Sequence, residues 1–560
     1  MKRFLVVILL LTVTNLIVAQ NNEGTVDSGK LLSFSEGKQF GTETFTIGKN
    51  GVGEGHTSLT LGGQSVNLKS RTEYLDRRPV GFEMEDGSGM KMKISFNGTE
   101  VKMVGPRDAT GQTDPESLIL ENGIGYQYYF LVRRYDRQKG GVQQFKMFVP
   151  SNMQTLPVSL EMKGPINPLP EKTAKLEHYR LLIASNLDGD IVTDSSGKLV
   201  LLSYPSQQIE SVREEYAPSI AALRAALASA PPSAAVDYSA PPGAPFTAEE
   251  VTVKAKGFTL AGTLLLPKSG ARPFPVVITI TGSGQQTRDE PIPISGLEKY
   301  GIMRQIAETL AARGIAVLRV DDRGTGKSGG FDTLTTFTTS DSADDLRAEI
   351  AYLRSRPEID PKRIALVGHS EGGNIAPMIA ATDPQIAAIV IMAGSAKRGD
   401  QISIAQLNEV LDRDTKMTVE EKNKQRAEQQ DAIRAVMTGA DLSKYPPMVK
   451  LPWIKEFWTY DPLPTIRKVH QPILILHGEF DRQVAAEQGQ MLEQAARAAG
   501  NKDVTLRVLP KLNHLFLPAA TGAFSEYSTL ATSVVGDDVL KTLGDWLEAK
   551  LKTSKKAVGH

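Results

Sequence analysis

Six short apolar runs separated by helical segments constrain the fold of this chain more than any other feature. They lie in the second half of the 560 residues, at 276–280, 315–320, 364–367, 387–392, 473–476 and 504–508. Near-continuous apolar strands that alternate with helices are typical of a parallel sheet buried on both faces. Two earlier segments, 251–255 and 260–266, favour an antiparallel pair of strands. The sequence therefore predicts an α/β domain over residues 247–552.

An unusually long insertion separates the fourth apolar run from the fifth, over residues 395–465. Its middle is helical and highly charged, and its end carries Trp453, Phe457 and Trp458 at near-helical spacing. Such spacing fits side chains that pack a cap on the core, and it also fits an apolar pocket for a ligand. The sequence predicts a helical cap and leaves both interpretations of the aromatic residues open.

Residues 20–205 form a different kind of domain. Alternating segments such as Phe40–Ile47 and Met90–Phe96, together with Tyr126–Tyr135, predict many short strands separated by turns. This pattern indicates a β-rich domain, either an antiparallel sandwich or an open barrel. Residues 206–246 then predict a helix, to about 229, followed by a Pro/Ala-rich linker. The β-rich domain shows no catalytic constellation, and its binding partner is not predictable.

Composition excludes several classes of function. Lys and Arg total 64 and Asp and Glu total 64, so the chain carries no net charge. This balance argues against nucleic acid as a main partner. The chain has no cysteine, which excludes a thiol nucleophile, cysteine ligands for a metal and disulfides. No metal site and no cofactor are expected.

The first 19 residues have the features of a signal peptide. Lys2 and Arg3 precede an apolar stretch, and Ala19 is an acceptable residue before a cleavage site. An uncleaved membrane anchor is the alternative, although the stretch is short for a span and is interrupted by polar residues. We expect an exported protein, periplasmic or extracellular, with no stable membrane span after cleavage.

The segment Gly368-His369-Ser370-Glu371-Gly372 carries the candidate chemistry. It follows the apolar run 364–367 and precedes a helical segment from Asn374. A strand, then G-x-S-x-G, then a helix is the context of a nucleophile elbow, a turn so sharp that its flanking positions need small residues. The pattern predicts that Ser370 is an exposed nucleophile.

A serine nucleophile needs a base and an acid, which follow it in the chain order Ser, Asp or Glu, His. The seven histidines are at 56, 178, 369, 470, 477, 514 and 560. His514, just after the last apolar run, is the one whose position fits the base. The acid should follow the run 473–476, where both Glu479 and Asp481 are candidates, and the loop length favours Asp481.

An oxyanion hole requires two backbone N–H donors. The residue after the nucleophile, Glu371, supplies the first in this architecture. The second is expected in the small, Gly-rich loop after the first parallel strand, with Ser283 as the first choice and Gly284 as the next.

These elements together resemble the α/β-hydrolase superfamily over residues 247–550, and within it bacterial secreted esterases and serine aminopeptidase-like hydrolases. The resemblance rests on Gly282-Ser283-Gly284 with Arg288-Asp289, Asp322 to Ser328, Gly368 to Gly373, Tyr460-Asp461-Pro462 and Gly478 to Val484. It implies an α/β-hydrolase fold with a cap, the triad Ser370, Asp481 and His514, and the oxyanion donors Ser283 and Glu371. Thr281-Gly282 replaces the usual His-Gly before the oxyanion loop, which leaves the identity of the second donor open.

The expected activity is hydrolysis of a small-molecule carboxylic ester through an acyl-enzyme. A peptidase or aminopeptidase on the same fold is the first alternative, since the triad does not separate the two reactions. Glu371 is a candidate for anchoring a substrate amine in that case. The second alternative is a binding protein with a vestigial hydrolase half, against which the complete order of Ser, Asp and His argues. Natural substrate and oligomeric state are not predictable.

Overall fold

The computed structural model describes residues 24–551 except for 36, 62–63, 106–107, 169–174, 184–186, 208, 229–235, 293, 295–296, 298–299, 416, 443–444 and 446. Within these residues the chain builds one sheet of fifteen strands, followed by one of eight strands. The signal peptide predicted at 1–19 and the start of the predicted linker at 230–235 lie outside the described residues, so export stays a prediction. No helix in the described part is long and apolar enough to cross a membrane.

The first sheet confirms the prediction of a β-rich N-terminal domain. Neighbouring strands pair antiparallel, except for β9 and β10, which are parallel. The strands are β1 Thr25–Ser35, β2 Lys38–Gly48, β3 Val52–Leu61, β4 Gln64–Leu75, β5 Arg78–Asp86, β6 Lys91–Asn97, β7 Glu100–Val104, β8 Ala109–Gln112, β9 Leu118–Ile119, β10 Val142–Val149, β11 Gln154–Ile166, β12 Leu176–Ile183, β13 Leu187–Thr193, β14 Leu199–Tyr204 and β15 Ile209–Arg213.

The fifteen strands described here form one continuous hydrogen-bonded sheet. Its order is β8-β7-β6-β5-β4-β3-β2-β1-β15-β14-β13-β12-β11-β10-β9, so the edge strands β8 and β9 are separated in the chain by only residues 113–117. At this junction Thr113 Oγ1 lies 2.8 Å from Oγ1 of Thr155 on β11. A single hydrogen-bonded sheet fits the open-barrel alternative better than a sandwich of two separate sheets.

Two local predictions in this half are wrong. The segment Tyr126–Tyr135, expected to be a strand, contains the helix α1 (Tyr128–Val132), whose buried residues join the core inside the sheet. The segment 206–229, expected to be helical, contains strand β15, and its helix α2 begins only at Ile220 and ends at Ala228. β15 pairs with β1 and β14, and these long-range ladder hydrogen bonds outweigh the local helical pattern.

The second sheet confirms the predicted α/β fold. Its order is β16-β17-β19-β18-β20-β21-β22-β23, and the first two strands form the predicted antiparallel pair. The remaining strands, in the order β19-β18-β20-β21-β22-β23, pair in parallel. The strands are β16 Phe246–Lys254, β17 Thr259–Pro267, β18 Phe274–Ile280, β19 Ala316–Val320, β20 Ile359–His369, β21 Ile386–Met392, β22 Ile473–Gly478 and β23 Val504–Leu509.

Helices cover both faces of this sheet, which explains why its central strands are apolar on every side. One face packs against α4 Thr339–Arg354, α5 Gly372–Ala380 and α10 Glu487–Ala498. The other face packs against α3 Ile302–Ala312 and α11 Asp537–Leu551. Short 3₁₀ turns lie at 150–152, 205–207, 214–219, 331–333, 447–450 and 524–529.

The insertion between β21 and β22 is helical in its described residues. It contains α6 Gly399–Arg413, α7 Val419–Thr438, α8 Pro452–Thr459 and α9 Pro462–Ile466. Thr418 begins α7 with a capping box to Glu421. Ile433 and Val436 of α7 pack against Ile454 and Trp458 of α8, so the insertion has a small apolar core of its own. We call residues 395–465 the cap.

Candidate active site

Ser370 stands at a sharp turn between β20 and α5. Its φ is 53°, a left-handed value that is strained for a residue with a side chain. A β-carbon added at Gly368 would lie 2.0 Å from the carbonyl oxygen of Gly372. One added at Gly372 would lie 2.3 Å from the carbonyl oxygen of Ile280. Both positions therefore require glycine, and the turn presents the Ser370 hydroxyl above the end of the sheet.

The structure brings Ser370, His514 and Asp481 into one hydrogen-bonded chain. Nε2 of His514 lies 3.1 Å from Ser370 Oγ, and its Nδ1 lies 2.8 Å from Asp481 Oδ2. Because a carboxylate only accepts, the His514 Nδ1–H donates to Asp481 and leaves Nε2 as the acceptor for the serine proton. His514 and Asp481 are buried, so water competes little for these bonds.

Backbone donors fix the acid in place. Asp481 Oδ1 accepts the N–H groups of Gln483 and Val484, each at 2.9 Å, which leaves Oδ2 directed at His514. Glu479, the other candidate acid, is exposed and accepts the N–H of Lys511 at 2.9 Å. The structure therefore places Asp481, and not Glu479, against the histidine.

The loop that carries His514 is folded around the side chain of Asn513. Asn513 Oδ1 accepts the N–H groups of Leu515 and Leu517, both at 3.0 Å. Gly478 lets this loop approach the end of β22, because a β-carbon there would lie 2.3 Å from the Leu512 carbonyl oxygen. We call residues 511–518 the base loop.

Residues 281–286, after β18, lie beside the nucleophile, and we call them the oxyanion loop. A β-carbon at Gly282 would lie 3.2 Å from that of Ser370. The N–H of Gly282 is engaged by Glu290 Oε1 at 3.0 Å. In the described part of the chain, no hydrogen bond uses the N–H of Ser283 or of Glu371. Both predicted oxyanion donors are thus free of protein acceptors there.

Asp322 forms hydrogen bonds with both ends of the oxyanion loop. Its Oδ2 accepts the Gln286 N–H at 2.9 Å and the Thr281 hydroxyl at 3.0 Å. Its own N–H donates to the Gln286 carbonyl oxygen at 3.0 Å. Burial raises the pKa of Asp322 to about 8 despite these donors, which lower it. The loop is therefore held by hydrogen bonds at both ends.

A cavity of about 440 Å³ lies between Ser370 and the cap. Trp453, Phe457 and Trp458 of α8 all line it. The rings of Trp453 and Phe457 are stacked with centroids 5.3 Å apart, and Trp458 is buried with its indole N–H donating to Ser403 Oγ at 3.0 Å. The three aromatic residues therefore pack the cap and also line the cavity, and their predicted role in binding an apolar group stays a prediction.

Glu371 joins the cap to the sheet domain through its side chain. Its Oε1 accepts the Thr339 hydroxyl at 2.5 Å and the Trp453 indole N–H at 3.0 Å. One oxygen of this carboxylate is thus engaged by the protein, and the predicted role of Glu371 as an anchor for a substrate amine stays a prediction.

The sequence did not predict two side-chain contacts at this site. Glu290 Oε1 lies 2.8 Å from His369 Nδ1, and the Asn374 amide donates to Ser395 Oγ at 2.8 Å in the cavity wall. His369 lies inside the recognised motif, but nothing in the pattern gives the side chain there a partner. Glu290 directly follows Arg288-Asp289, the segment that carried the resemblance, and its contact depends on the fold.

His477, the other histidine near the site, is buried and neutral. His477 is fully buried at the end of β22, and burial lowers its pKa to about 4, so it is neutral. No group of three or more His, Asp or Glu side chains suited to a metal ion occurs in the described part of the chain.

A mostly parallel sheet with a serine at a strand-to-helix turn, and with an acid and a histidine after later strands, defines the α/β-hydrolase class. Residues 246–551 have the α/β-hydrolase fold. The family described as "Serine aminopeptidase, S33" matches residues 295–518.

Named proteins with related sequences are hydrolases. The chain is 26% identical over 309 residues to esterase EstD of Thermotoga maritima, covering 54% of this chain and 68% of that protein. It is 33% identical over 89 residues to thiohydrolase apmlB of Arthrinium phaeospermum, covering 16% of this chain and 29% of that protein.

Solved structures similar to the chain include the esterase Pf2001 of Pyrococcus furiosus, at 20% identity and a TM-score of 0.38, covering 57% of this chain and 97% of that one. The α/β-hydrolase GrgF of Penicillium sp. sh18 has 19% identity and a TM-score of 0.36, covering 54% of this chain and 99% of that one.

Proposed function

We propose that the α/β-hydrolase domain hydrolyses carboxylic esters of small, uncharged molecules, with Ser370 as nucleophile, His514 as base and Asp481 as the acid that orients it. The observation that carries the proposal is the hydrogen-bonded chain from Asp481 through His514 to Ser370, on the floor of a cavity. Relationship to a protein named as an esterase supports the same reaction class.

The acylation step follows from the tautomer of His514. Ser370 Oγ attacks the acyl carbon while its proton passes to His514 Nε2, and Asp481 stabilises the imidazolium that forms. The carbonyl oxygen gains a negative charge and is stabilised by the N–H groups of Ser283 and Glu371. The bond from the acyl carbon to the alkoxy oxygen then breaks, and His514 returns the proton to the departing alcohol.

Deacylation repeats the same chemistry with water. A water oxygen attacks the acyl carbon and transfers its proton to His514 Nε2. The ester bond to Ser370 Oγ breaks, the proton moves from His514 to Ser370, and the carboxylic acid leaves. The enzyme returns to its starting state without any other reactant.

The lining of the cavity suits an uncharged ester. Its described lining contains no Lys or Arg, and its two carboxylates, Glu290 and Glu371, already accept hydrogen bonds from protein groups. The unpaired second oxygen of Glu290 is buried out of reach of a ligand. The walls of Trp453 and Phe457 suit an apolar group, and the second oxygen of Glu371 is the position in this lining at which a substrate ammonium group would bind.

The test compares p-nitrophenyl esters, from acetyl to dodecanoyl, with aminoacyl p-nitroanilides in the wild-type protein and in Ser370→Ala. We expect saturable ester hydrolysis that falls at least 10³-fold in Ser370→Ala, and no measurable cleavage of the anilides. Ester turnover that survives the substitution would overturn the proposal. A kcat/KM for the anilides above that for the esters would favour the peptidase alternative instead.

A further inference from the structure

His369, directly before the nucleophile, connects to the base loop through its ring. Its Nε2 lies 3.0 Å from the main-chain carbonyl oxygen of His514. A carbonyl oxygen only accepts, so His369 Nε2 carries a proton and donates it. The ring is buried, with its centroid 5.0 Å from that of His514. It therefore holds the backbone of the base residue and not its catalytic nitrogen.

The other side of the His369 ring contacts the same oxygen that holds the oxyanion loop. Nδ1 lies 2.8 Å from Glu290 Oε1, which also accepts the Gly282 N–H at 3.0 Å. Gly282 is the neighbour of Ser283, the proposed oxyanion donor. One continuous set of bonds thus runs from the oxyanion loop through Glu290 and His369 to the base loop.

The backbone at Glu290 is shaped for this contact. Glu290 has a φ of 54°, a left-handed value that is unfavourable for a residue with a β-carbon. Its N–H donates to the Thr287 carbonyl oxygen at 2.8 Å, and its side chain is 4% exposed. Strain of this kind persists only where the surroundings determine the conformation, and it often occurs at functional sites.

The protonation of the pair follows from the geometry. His369 Nε2 already carries a proton, so the contact from Nδ1 to Glu290 Oε1 needs a second proton, which the ring and the carboxyl group share. Burial opposes a charged ring, but the Glu290 carboxylate and the His514 carbonyl oxygen outweigh it, and the pKa of His369 is raised. The pair is neutral as a unit and adds no net charge beside His514.

We propose that Glu290 and His369 are positioning residues that hold the oxyanion loop and the base loop in register with Ser370. The inference rests on the proposed function and goes beyond it, because neither side chain attacks, protonates or binds the reacting atoms. Displacements well below 1 Å between donors and a transition state reduce rates strongly, so a fixed link between the two loops bears directly on kcat.

The variants Glu290→Gln, His369→Gln and the double variant test the link. Glu290→Gln keeps the size of the side chain but removes the charge, and His369→Gln keeps a donor for the His514 carbonyl but loses the bond to Glu290. We expect each single variant to lower kcat for a p-nitrophenyl ester about 10- to 100-fold, with KM within about 3-fold. The double variant should be no slower than the slower single variant, because the two residues act as one unit.

The pH profile separates positioning from a loss of folded protein. In His369→Gln the Glu290 carboxylate loses the ring that separates it from His514, so the acid limb of kcat/KM should move up by about one pH unit. In the double variant the limb should return to its wild-type position. A misfolded fraction would lower the amplitude of the profile without moving it.

The matched control is Glu479→Gln. Glu479 also accepts a backbone N–H of the base loop, that of Lys511, but it is exposed and has no contact with His369. We expect its kcat to stay within about 2-fold of the wild type.

Labelling of Ser370 by a fluorophosphonate, followed by mass spectrometry, distinguishes the possible failures. If the wild-type protein is not labelled and Ser370→Ala retains ester turnover, the proposed function and this inference both fail. If the wild type is labelled, and Glu290→Gln and His369→Gln are labelled at the same rate with unchanged kcat, only the positioning role is overturned. A labelling rate reduced at least 10-fold in both variants supports it.

Discussion

The indole N–H of Trp453 in the cap donates a hydrogen bond of 3.0 Å to Oε1 of Glu371, the residue that follows Ser370 in the chain. The backbone N–H of the same residue is the proposed oxyanion donor. The wall of the cavity and the proposed oxyanion hole therefore share Glu371, and this hydrogen bond connects the cap to the turn at Ser370.

Trp453→Phe removes that donor and keeps an aromatic wall. A hydrogen bond to a charged group contributes about 1.5–3 kcal/mol, so we expect kcat/KM for p-nitrophenyl esters to fall roughly 10-fold or more. Trp458→Phe is the matched control, since its indole N–H donates to the neutral Ser403 hydroxyl within the cap. The kcat/KM of Trp458→Phe should stay within about 3-fold of the wild-type value. Equal losses in the two variants would show that the contact with Glu371 has no special weight.

Substitution of the two candidate acids should have opposite effects on kcat: a large loss at Asp481 and almost none at Glu479. Asp481→Asn removes the carboxylate that holds His514 Nδ1–H, and kcat should fall about 10³- to 10⁴-fold because the imidazole adopts the wrong tautomer. Steady-state ester hydrolysis measures the effect, with circular dichroism to confirm the fold. Glu479→Gln, which alters only the exposed contact with Lys511, should leave the rate within about 2-fold. A larger effect at Glu479 than at Asp481 would reverse the assignment.

The parts of the site that the sequence predicts are those set by local pattern and chain order. The sharp turn around Ser370 follows from glycines that are adjacent in the chain, and the positions of Asp481 and His514 follow from the strands that precede them. Local sequence pattern does not predict a structure or a contact that depends on residues distant in the chain. Ile209–Arg213 is a strand because β1 and β14 flank it, and Glu290 reaches His369 across 79 residues of sequence.

Burial of Glu43 should make the N-terminal sheet sensitive to pH. The side chain is 3% exposed and accepts the N–H groups of Gly125 and Tyr126 at 2.8 and 3.2 Å. Burial raises its pKa from 4.5 to about 8, more than these donors lower it. An acid whose pKa is higher in the folded than in the unfolded state makes folding less favourable as the pH rises between the two values.

From pH 5 to pH 8, Glu43 should therefore lower the free energy of unfolding by about 3 kcal/mol. Glu43→Gln should remove this slope and be more stable than the wild type at pH 8. Urea unfolding of the full chain, with hydrogen exchange of the segment 118–135 as a local probe, measures the change. Glu54→Gln, an exposed residue on β3, is the control and should keep the wild-type slope. A wild-type sheet whose stability does not fall over this range would contradict the assignment.

Substitution of Gly372 tests whether the turn at Ser370 depends on its close contact with the end of β18. In Gly372→Ala the new β-carbon would lie 2.3 Å and 2.6 Å from the carbonyl oxygens of Ile280 and Thr281, so β18 and the turn must move apart. Since Thr281 begins the oxyanion loop, we expect at least a 100-fold loss of kcat for a p-nitrophenyl ester, with a loss of about 1–3 kcal/mol in the free energy of unfolding.

Gly439→Ala separates steric displacement from backbone strain. Gly439 ends α7 with a φ of 68°, and a β-carbon there would meet nothing within 4 Å. Alanine at this position should cost about 1 kcal/mol of stability through its left-handed backbone alone and leave kcat unchanged. If Gly372→Ala behaves like Gly439→Ala, with a small loss of stability and full activity, the contact between the turn and β18 does not control the position of Ser370.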